Sequence, residues 1–171
     1  MDIIDELEEN QTVLLLASSI GYNDTVIETV KKLAAKTVTY VTINKTASSL
    51  KETFKSKGVN VDNIVFIDAI TKTIKDVPDQ ADGIYYMSSP AALTEISMAV
   101  SNMLNHGFNY LIFDSVTNLL VYEQRAPVAK FIQVLVNKIK SSKTKAVFYA
   151  LSVKEQNELI QETGMFVDKV V

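Results

Sequence analysis

Length, composition and charge limit what this chain can do. Its 171 residues, 47% of them hydrophobic, suffice for a domain that buries roughly 70% of its unfolded surface, so we expect a single domain over 1–171. The lack of cysteine excludes disulfides, thiolate metal sites and a cysteine nucleophile, and it fits a reducing compartment. The net charge of −3 disfavours non-specific nucleic-acid binding.

The N-terminus and the hydropathy pattern predict a cytoplasmic location. No apolar run approaches the ~20 residues that a membrane helix needs. The first ten residues, MDIIDELEEN, are acidic, unlike the basic start of a signal peptide. We therefore expect a soluble protein that binds neither membranes nor nucleic acid.

Short apolar runs alternate with longer stretches of helical spacing along the chain. The predicted strands are 12–17, 37–43, 63–67, 84–87, 109–114, 145–151 and 165–171, and the predicted helices are 23–36, 46–57, 90–106, 125–142 and 153–163. Several strands are apolar almost throughout, which is typical of strands covered on both faces. The alternation predicts an α/β fold with three α/β/α layers and a mostly parallel, doubly wound sheet. Segment 68–83 is predicted to be an exposed loop because it contains Pro78 and Gly83.

Local signals predict where several helices begin and end. Asn23 or Asp24 is a candidate N-cap, Ser89-Pro90 is a typical helix start, and Asn105-His106-Gly107 is a typical helix end. His106 is the only histidine, so a histidine metal cluster or a serine-histidine triad is hard to build. We expect it to be a helix C-terminal residue.

The one local excess of positive charge is NKIKSSKTK, which contains Lys138, Lys140, Lys143 and Lys145. These lysines fall at the end of a predicted helix and in the turn that follows it. Lysines complement the helix dipole at that end, so we prefer this interpretation to a nucleic-acid patch.

Two stretches at the carboxyl ends of predicted strands are candidates for a ligand site. SSIGYNDT, residues 18–25, connects the strand VLLLA to a helix, where nucleotide-binding α/β proteins have their phosphate loop. YLIFDSVTNLL ends a second strand with Asp114 and Ser115. An acid at this place holds magnesium in nucleotide-hydrolysing folds, although a strand-end aspartate also commonly caps the next turn. Asp68 and Asp168 also follow apolar runs, and we expect them to form turns.

Four stretches together resemble one known family. They are TYVTINKTASSLKETFKSKGVNVDNIVFIDA, SSPAALTEISMAVSNMLNHGFNYLIFDSVTNLL, VAKFIQVLVNKIKSSKTKAVFYAL and the closing FVDKVV, which extend over nearly the full chain. In this order they are similar to the RecA/KaiC-like P-loop ATPase superfamily, and most closely to KaiC-type signalling domains. The resemblance implies a RecA-type sheet and descent from a nucleotide-binding domain.

The phosphate-loop motif of that family is degenerate in this chain. The pattern GxxxxGK[ST] uses backbone N–H groups, a lysine and a hydroxyl to hold phosphate and magnesium. Aligned with residues 18–25, it retains only Thr25, with Gly21 inside the loop and Asp24 at the lysine position. A lysine about 4 Å from a phosphate charge gains roughly 4 kcal/mol at an effective dielectric near 20, and a carboxylate costs a similar amount.

A second functional position of the family is also replaced. KaiC-type domains have an acidic pair after the next strand, one member of which activates water. Here TYVTI is followed by Asn44 and Lys45, neither of which can act as a carboxylate base. Asp114 then remains for a structural reason, either capping the turn into VTNLL or bonding to Thr25. Thr25 itself is best interpreted as a helix-start hydroxyl.

These positions predict a vestigial nucleotide site without catalytic residues and without a metal. Its members are Gly21, Asp24, Thr25, Asp114 and Ser115. Our first hypothesis is a non-catalytic regulatory or signalling domain that needs no cofactor and binds a protein partner or a second copy. The alternative is a nucleotide sensor or weak ATPase with a non-standard phosphate site, the only case that involves ATP and magnesium, with Lys45 as a possible cation.

The segment VTNLLVYEQRAPVAKFIQVLV is the candidate interaction surface. Residues 119–122, LLVY, either form an exposed apolar patch or fold back onto the sheet. Arg125 follows and is a candidate cation for a neighbouring subunit in a mixed ring, which is our third and minor hypothesis.

Overall fold

A computed structural model describes residues 1–171, and its sheet contains eight strands. The order across the sheet is β4-β5-β3-β2-β6-β7-β1-β8. β4 pairs antiparallel with β5, and every other pair is parallel. The strands are β1 (Thr12–Ala17), β2 (Val38–Thr42), β3 (Ile64–Asp68), β4 (Gln80–Ala81), β5 (Ile84–Tyr86), β6 (Tyr110–Asp114), β7 (Lys145–Leu151) and β8 (Lys169–Val170).

Six α-helices cover the two faces of this sheet. They are α1 (Ile3–Glu9), α2 (Tyr22–Leu33), α3 (Ala47–Ser56), α4 (Leu93–Asn105), α5 (Arg125–Lys140) and α6 (Asn157–Phe166), with short 3₁₀ turns at 61–63, 71–73, 117–121 and 154–156. None of the helices has the length and apolar character needed to cross a membrane.

Two apolar cores separate the three layers. On one face α1, α2 and α3 bury side chains such as Leu7, Val30 and Phe54 against the sheet. On the other face α4, α5 and α6 do the same with side chains such as Val100, Ile132 and Leu159. Strands β1, β2, β6 and β7 contribute to both cores, which is why their sequences are apolar almost throughout. The prediction of a three-layer α/β/α fold with a mostly parallel sheet is confirmed.

Several predicted boundaries differ from the structure. Helix α1 was not predicted. Asp2 caps it by accepting a hydrogen bond from the Ile4 amide, and only two of its residues are buried. The last helix continues to Phe166, so the final strand is limited to Lys169–Val170 and does not begin at 165. The predicted loop 68–83 contains the short strand β4, which pairs with β5.

Three of the predicted helix starts also differ from the structure. Helix α6 begins at Asn157, four residues after the predicted start at 153. Gly21 is the N-cap of α2 and the helix begins at Tyr22, so neither Asn23 nor Asp24 caps it. Helix α4 begins at Leu93, three residues after Pro90. The predicted end of α4 is correct, since His106 is its C-cap and Gly107 has a φ of 73°.

The carboxyl ends of β2, β6, β7 and β1 lie side by side at one edge of the sheet. Thr42 of β2 is aligned with Asp114 of β6, and Leu151 of β7 is aligned with Ala17 of β1. The loops after β1 and β2 and the turn after β6 therefore meet at this edge, which we call the carboxyl edge. Ligands of doubly wound sheets bind at such an edge.

Candidate functional site

Asp114 is the centre of the candidate site. It is the last residue of β6, its side chain is only 2% exposed, and its peptide bond to Ser115 is cis. The Tyr22 hydroxyl donates a hydrogen bond to Oδ1, and the Tyr40 hydroxyl donates one to Oδ2. Asn44 Nδ2 adds a longer contact of 3.4 Å to Oδ1. Both carboxylate oxygens therefore already accept hydrogen bonds from the protein.

Three different elements bring the tyrosines to this carboxylate. Tyr22 is the first residue of α2 and is 8% exposed, and Tyr40 is in the middle of β2 and is fully buried. Tyr149 of β7 is also fully buried, with its ring centroid 6.0 Å from that of Tyr22. Its hydroxyl has no hydrogen-bond partner. The buried aspartate thus accepts hydrogen bonds from two buried tyrosines, and a third buried tyrosine packs against one of them.

Burial dominates the electrostatics of this cluster. It raises the pKa of Asp114 above its ordinary value, although the hydrogen bonds from Tyr22 and Tyr40 and the charge of Lys45 act in the opposite direction. Burial, followed by the nearby Asp114 charge, also raises the pKa values of Tyr22 and Tyr40. Both tyrosines therefore keep their protons at neutral pH and remain donors to the carboxylate.

The loop after β1 is a short turn into a helix. Ser18 Oγ accepts a hydrogen bond of 3.1 Å from the Gly21 amide, and the Thr25 amide donates at 3.0 Å to the Gly21 carbonyl, as in an ordinary first helical turn. Ile20 at the tip of the loop is 99% exposed. Because α2 begins at Tyr22, the side chain of this residue is buried and its hydroxyl reaches Asp114.

A cavity of about 200 Å³ lies beside Asp114, between α2 and α3. The polar residues that line it are Asn23, Lys45, Thr53 and Asp114. Lys45 Nζ donates a hydrogen bond to Asn23 Oδ1 at 2.8 Å. Its volume is below the roughly 300–1,000 Å³ that is typical of small-molecule pockets.

The predicted site residues do not converge on this cavity. Asp114 lines it, whereas Gly21, Asp24, Thr25 and Ser115 do not. Asp24 is exposed, and Thr25 lines a separate cavity of about 160 Å³ with Glu28 and Thr29.

The predicted structural roles of Asp114 were wrong. It makes no hydrogen bond to Thr25, and the turn after β6 is held by Ser115 instead. The Ser115 hydroxyl accepts a hydrogen bond of 3.2 Å from the Asn118 amide. In place of a capping function, Asp114 accepts hydrogen bonds from the buried tyrosines.

Sequence reasoning missed the tyrosines. Tyr40 and Tyr149 occur in apolar runs, where a tyrosine is an ordinary strand residue. The available signal was Tyr22, an aromatic residue inside a stretch where the family motif has a small, flexible loop.

The other singled-out residues have structural contacts. Asp68 is fully buried and accepts hydrogen bonds from the amides of Ala47, Ile70 and Thr71, as expected of a turn former. Arg125 forms ion pairs with two glutamates of α6, Glu158 and Glu162. No group of three or more histidine, aspartate or glutamate side chains is clustered so that it could hold a metal ion.

The segment after β6 is only partly exposed. Leu119 is fully buried and Leu120 is half-buried, whereas Val121 is 71% and Tyr122 45% exposed. Both alternatives for this segment are therefore partly correct: its first half folds back onto the sheet, and its second half is exposed.

The strand order and the two helical layers form a three-layer α/β/α fold of the RecA/KaiC type. A KaiC-like protein from the hyperthermophilic archaeon Pyrococcus horikoshii OT3 has a similar solved structure, with a TM-score of 0.61 and 12% sequence identity. The match covers 83% of this chain and 61% of that chain, so this chain corresponds to about three fifths of the archaeal protein.

The chain belongs to the family described as "Family of unknown function (DUF7090)", whose model matches residues 2–171. No curated protein matches it. The structural likeness therefore establishes the fold, and activity has to be argued from the site.

Proposed function

We propose that this chain is a non-catalytic KaiC/RecA-like domain, a pseudo-ATPase that acts as a regulatory or signalling module by binding a protein partner or a second copy of itself. The observation that supports this most is the enclosure of Asp114. The Tyr22 and Tyr40 hydroxyls use both of its oxygens and the residue is only 2% exposed, so a hydrated magnesium ion would have to displace these donors.

The geometry around α2 also opposes phosphate binding. Tyr22 is buried against Asp114, and the motif alignment puts Asp24 at the position of the phosphate-binding lysine. Since a carboxylate near a phosphate is repulsive by several kcal/mol at short range, the residues present do not fit magnesium and ATP. Asn44 and Lys45, at the positions of the family's acidic pair, offer no base for water activation.

Exposed apolar residues at the carboxyl edge supply the candidate interaction surface. Ile20 follows β1, and Val121 and Tyr122 follow β6. Only β7 separates these two strands, so the strands are about 10 Å apart. Exposed apolar side chains on loops at one edge of a sheet are candidates for a protein interface.

Arg125 contributes little to the mixed-ring hypothesis. Its guanidinium is already engaged by Glu158 and Glu162 of the same chain, so it is not a free cation for a neighbouring active site. A ring in which this domain supplies apolar contacts alone is compatible with the proposal.

One observation favours the alternative, a nucleotide-binding sensor or weak ATPase. The cavity beside Asp114 has a lysine at its rim, and the Lys45 ammonium is held there only by Asn23. The alternative predicts that nucleotide binding depends on Asp114.

A thermal-shift titration separates the two functions. ATP, ADP and GTP are added to 5 mM with and without magnesium, to the wild type and to Asp114→Ala. We expect no saturable shift that depends on Asp114, because a ligand raises the melting temperature only if it binds the folded state. A saturable, magnesium-dependent shift lost in Asp114→Ala, or an ATPase activity with the same dependence, would overturn the proposal.

The interaction surface is tested separately by sedimentation of the wild type over a hundredfold range of concentration. Ile20→Asp and Val121→Asp should reduce self-association. Met98→Asp is the matched control, since Met98 is a 68% exposed apolar residue on α4, away from the carboxyl edge. An equal effect of all three substitutions would argue against a specific surface there.

A further inference from the structure

A second cleft opens at the opposite edge of the sheet, where the strands begin. It lies between the C-terminal parts of α4 and α5 and has a volume of about 760 Å³. That volume is within the range of small-molecule pockets. Eight of its ten lining residues are polar or glycine, and Lys138 and Lys143 are the charged ones.

The charge in this cleft is positive and unbalanced. No carboxylate lines it, and neither lysine takes part in any ion pair of the protein. Lys138 Nζ donates to the hydroxyls of Ser97 and Ser101 at 2.9 and 2.8 Å. Two neutral hydroxyls fix the position of this ammonium group and leave its charge uncompensated.

Three further donors at the cleft have no partner inside the protein. The side-chain amides of Asn105 and Asn137 and the ammonium of Lys143 make no hydrogen bond to other residues, although all three line the cleft. Lysine and amide donors that line one cleft without an acid suit an oxyanion, because lysine forms charge-assisted hydrogen bonds to it.

The wall that contains Lys143 is held rigidly in place. Gln11 Nε2 contacts the carbonyl oxygens of Ile139, Ser142 and Thr144 at 2.8, 2.8 and 3.0 Å. The Thr144 hydroxyl donates to the Phe108 carbonyl at 2.7 Å, which links this turn to the end of α4. The cleft is therefore formed before any ligand arrives.

Helix-dipole complementation accounts for only part of the lysine cluster. Lys145 binds the Leu7 carbonyl at the end of α1, and Lys140 pairs with Asp168 at 2.9 Å. Lys138 is in the last turn of α5, but its ammonium contacts hydroxyls of α4 and no helix-end carbonyl. Lys143 lies beyond the helix end.

We propose that the cleft between α4 and α5 binds a small phosphorylated compound, with Lys138 and Lys143 on either side of the phosphate and the amides of Asn105 and Asn137 as further donors. A compact ligand fits better than a nucleic acid, because the site is a concave cleft on a chain of net charge −3. This site is independent of the function proposed for the carboxyl edge.

The test is a titration of the ¹⁵N-labelled 19.0 kDa protein with inorganic pyrophosphate and with AMP, without magnesium, followed by NMR. We expect saturable shifts of amides in 104–108 and 137–144, with little change in 18–25. Lys138→Met and Lys143→Gln should each weaken binding at least tenfold. Lys130→Gln, an exposed lysine of α5 outside the cleft, is the control and should keep wild-type affinity.

The same spectra reveal whether each variant is folded, so lost binding cannot be confused with unfolding. Shifts that fail to saturate, or an equal loss in Lys130→Gln, would overturn the proposal in favour of general charge attraction. If a 20-nucleotide single strand displaced pyrophosphate and bound more tightly, the proposal would be overturned in favour of a nucleic-acid site. Saturable shifts in 18–25 that are lost in Asp114→Ala would instead place the anion at the carboxyl edge.

Discussion

The Tyr22 hydroxyl donates its hydrogen bond to Asp114, so the first residue of α2 covers the carboxylate at the end of β6. A helix-start residue and a strand-end residue at the edge where doubly wound sheets bind ligands contact each other here instead. The contact joins a helix start to the central strand of the sheet, and stability should depend on it.

Replacement of Tyr22 by phenylalanine should destabilise the fold at pH 7. The ring and its packing against Tyr149 remain, but one oxygen of a buried carboxyl group loses a donor. A hydrogen bond to a charged group contributes about 1.5–3 kcal/mol, so we expect a loss of this size in the free energy of unfolding. Urea titration measures it. Tyr122→Phe, at an exposed tyrosine, should stay within about 0.5 kcal/mol of the wild type; equal effects of the two variants would contradict the prediction.

Asp114 should make the protein less stable as the pH rises. Burial raises its pKa in the folded state, so the folded protein holds this proton more tightly than the unfolded chain does. Its contribution is fully present below the unfolded pKa of about 3.9 and is lost as the pH rises through the folded pKa.

The measurement is the difference in unfolding free energy between the wild type and Asp114→Asn from pH 3 to pH 8, because asparagine does not titrate. The advantage of the wild type should decline with rising pH and become constant above the folded pKa. An advantage that grows over this range would mean that the hydrogen bonds from Tyr22 and Tyr40 outweigh burial.

Asp168 should have the opposite pH dependence. Partial burial acts to raise its pKa, but the ion pair with Lys140 and the hydrogen bonds from Thr12 outweigh it and lower the pKa. The wild type should therefore be more stable than Asp168→Asn above the unfolded pKa of about 3.9, and it should lose this advantage as the pH falls through the folded pKa. The two carboxyl groups thus control for each other in one set of titrations. If stability changed in the same direction with pH for both, the direction of one of the two pKa shifts would be wrong.

The carboxyl edge was predictable because it depends on backbone pattern. Apolar runs end at Ala17, Thr42 and Asp114, and parallel strands bring these ends together whatever the side chains beyond them do. Which side chains surround Asp114 could not be predicted from the backbone pattern. With a helix start at residue 23, Tyr22 would belong to the loop; the observed start at Tyr22 directs its side chain toward Asp114.

Other misses have similarly local causes. Helix α1 has seven residues, most of them acidic or exposed, and it is stabilised by burial of Ile3 and Leu7 rather than by a long apolar stripe. The segment MF at 165–166 is apolar enough for either a helix end or a strand. Tertiary packing decides between them, since Thr163 and Leu159 are buried on one face of α6.

Of the two aspartates that end strands, Asp68 and Asp114, removal of Asp68 should cost more stability. No feature of Asp68 indicates a catalytic role. Its two oxygens accept from three backbone amides, at Ala47, Ile70 and Thr71, and from the Thr71 hydroxyl at 2.5 Å. Asp68→Ala would leave these buried donors without a partner, and each unsatisfied group costs about 1–3 kcal/mol, so we expect a loss of at least about 3 kcal/mol in urea titration.

Asp62→Ala, at an exposed aspartate without a hydrogen bond, should change stability by no more than about 0.5 kcal/mol. If Asp68→Ala proved as mild as its control, the turn after β3 would have to be held by its apolar contacts, with Ala69 and Ile67 in the core beneath it.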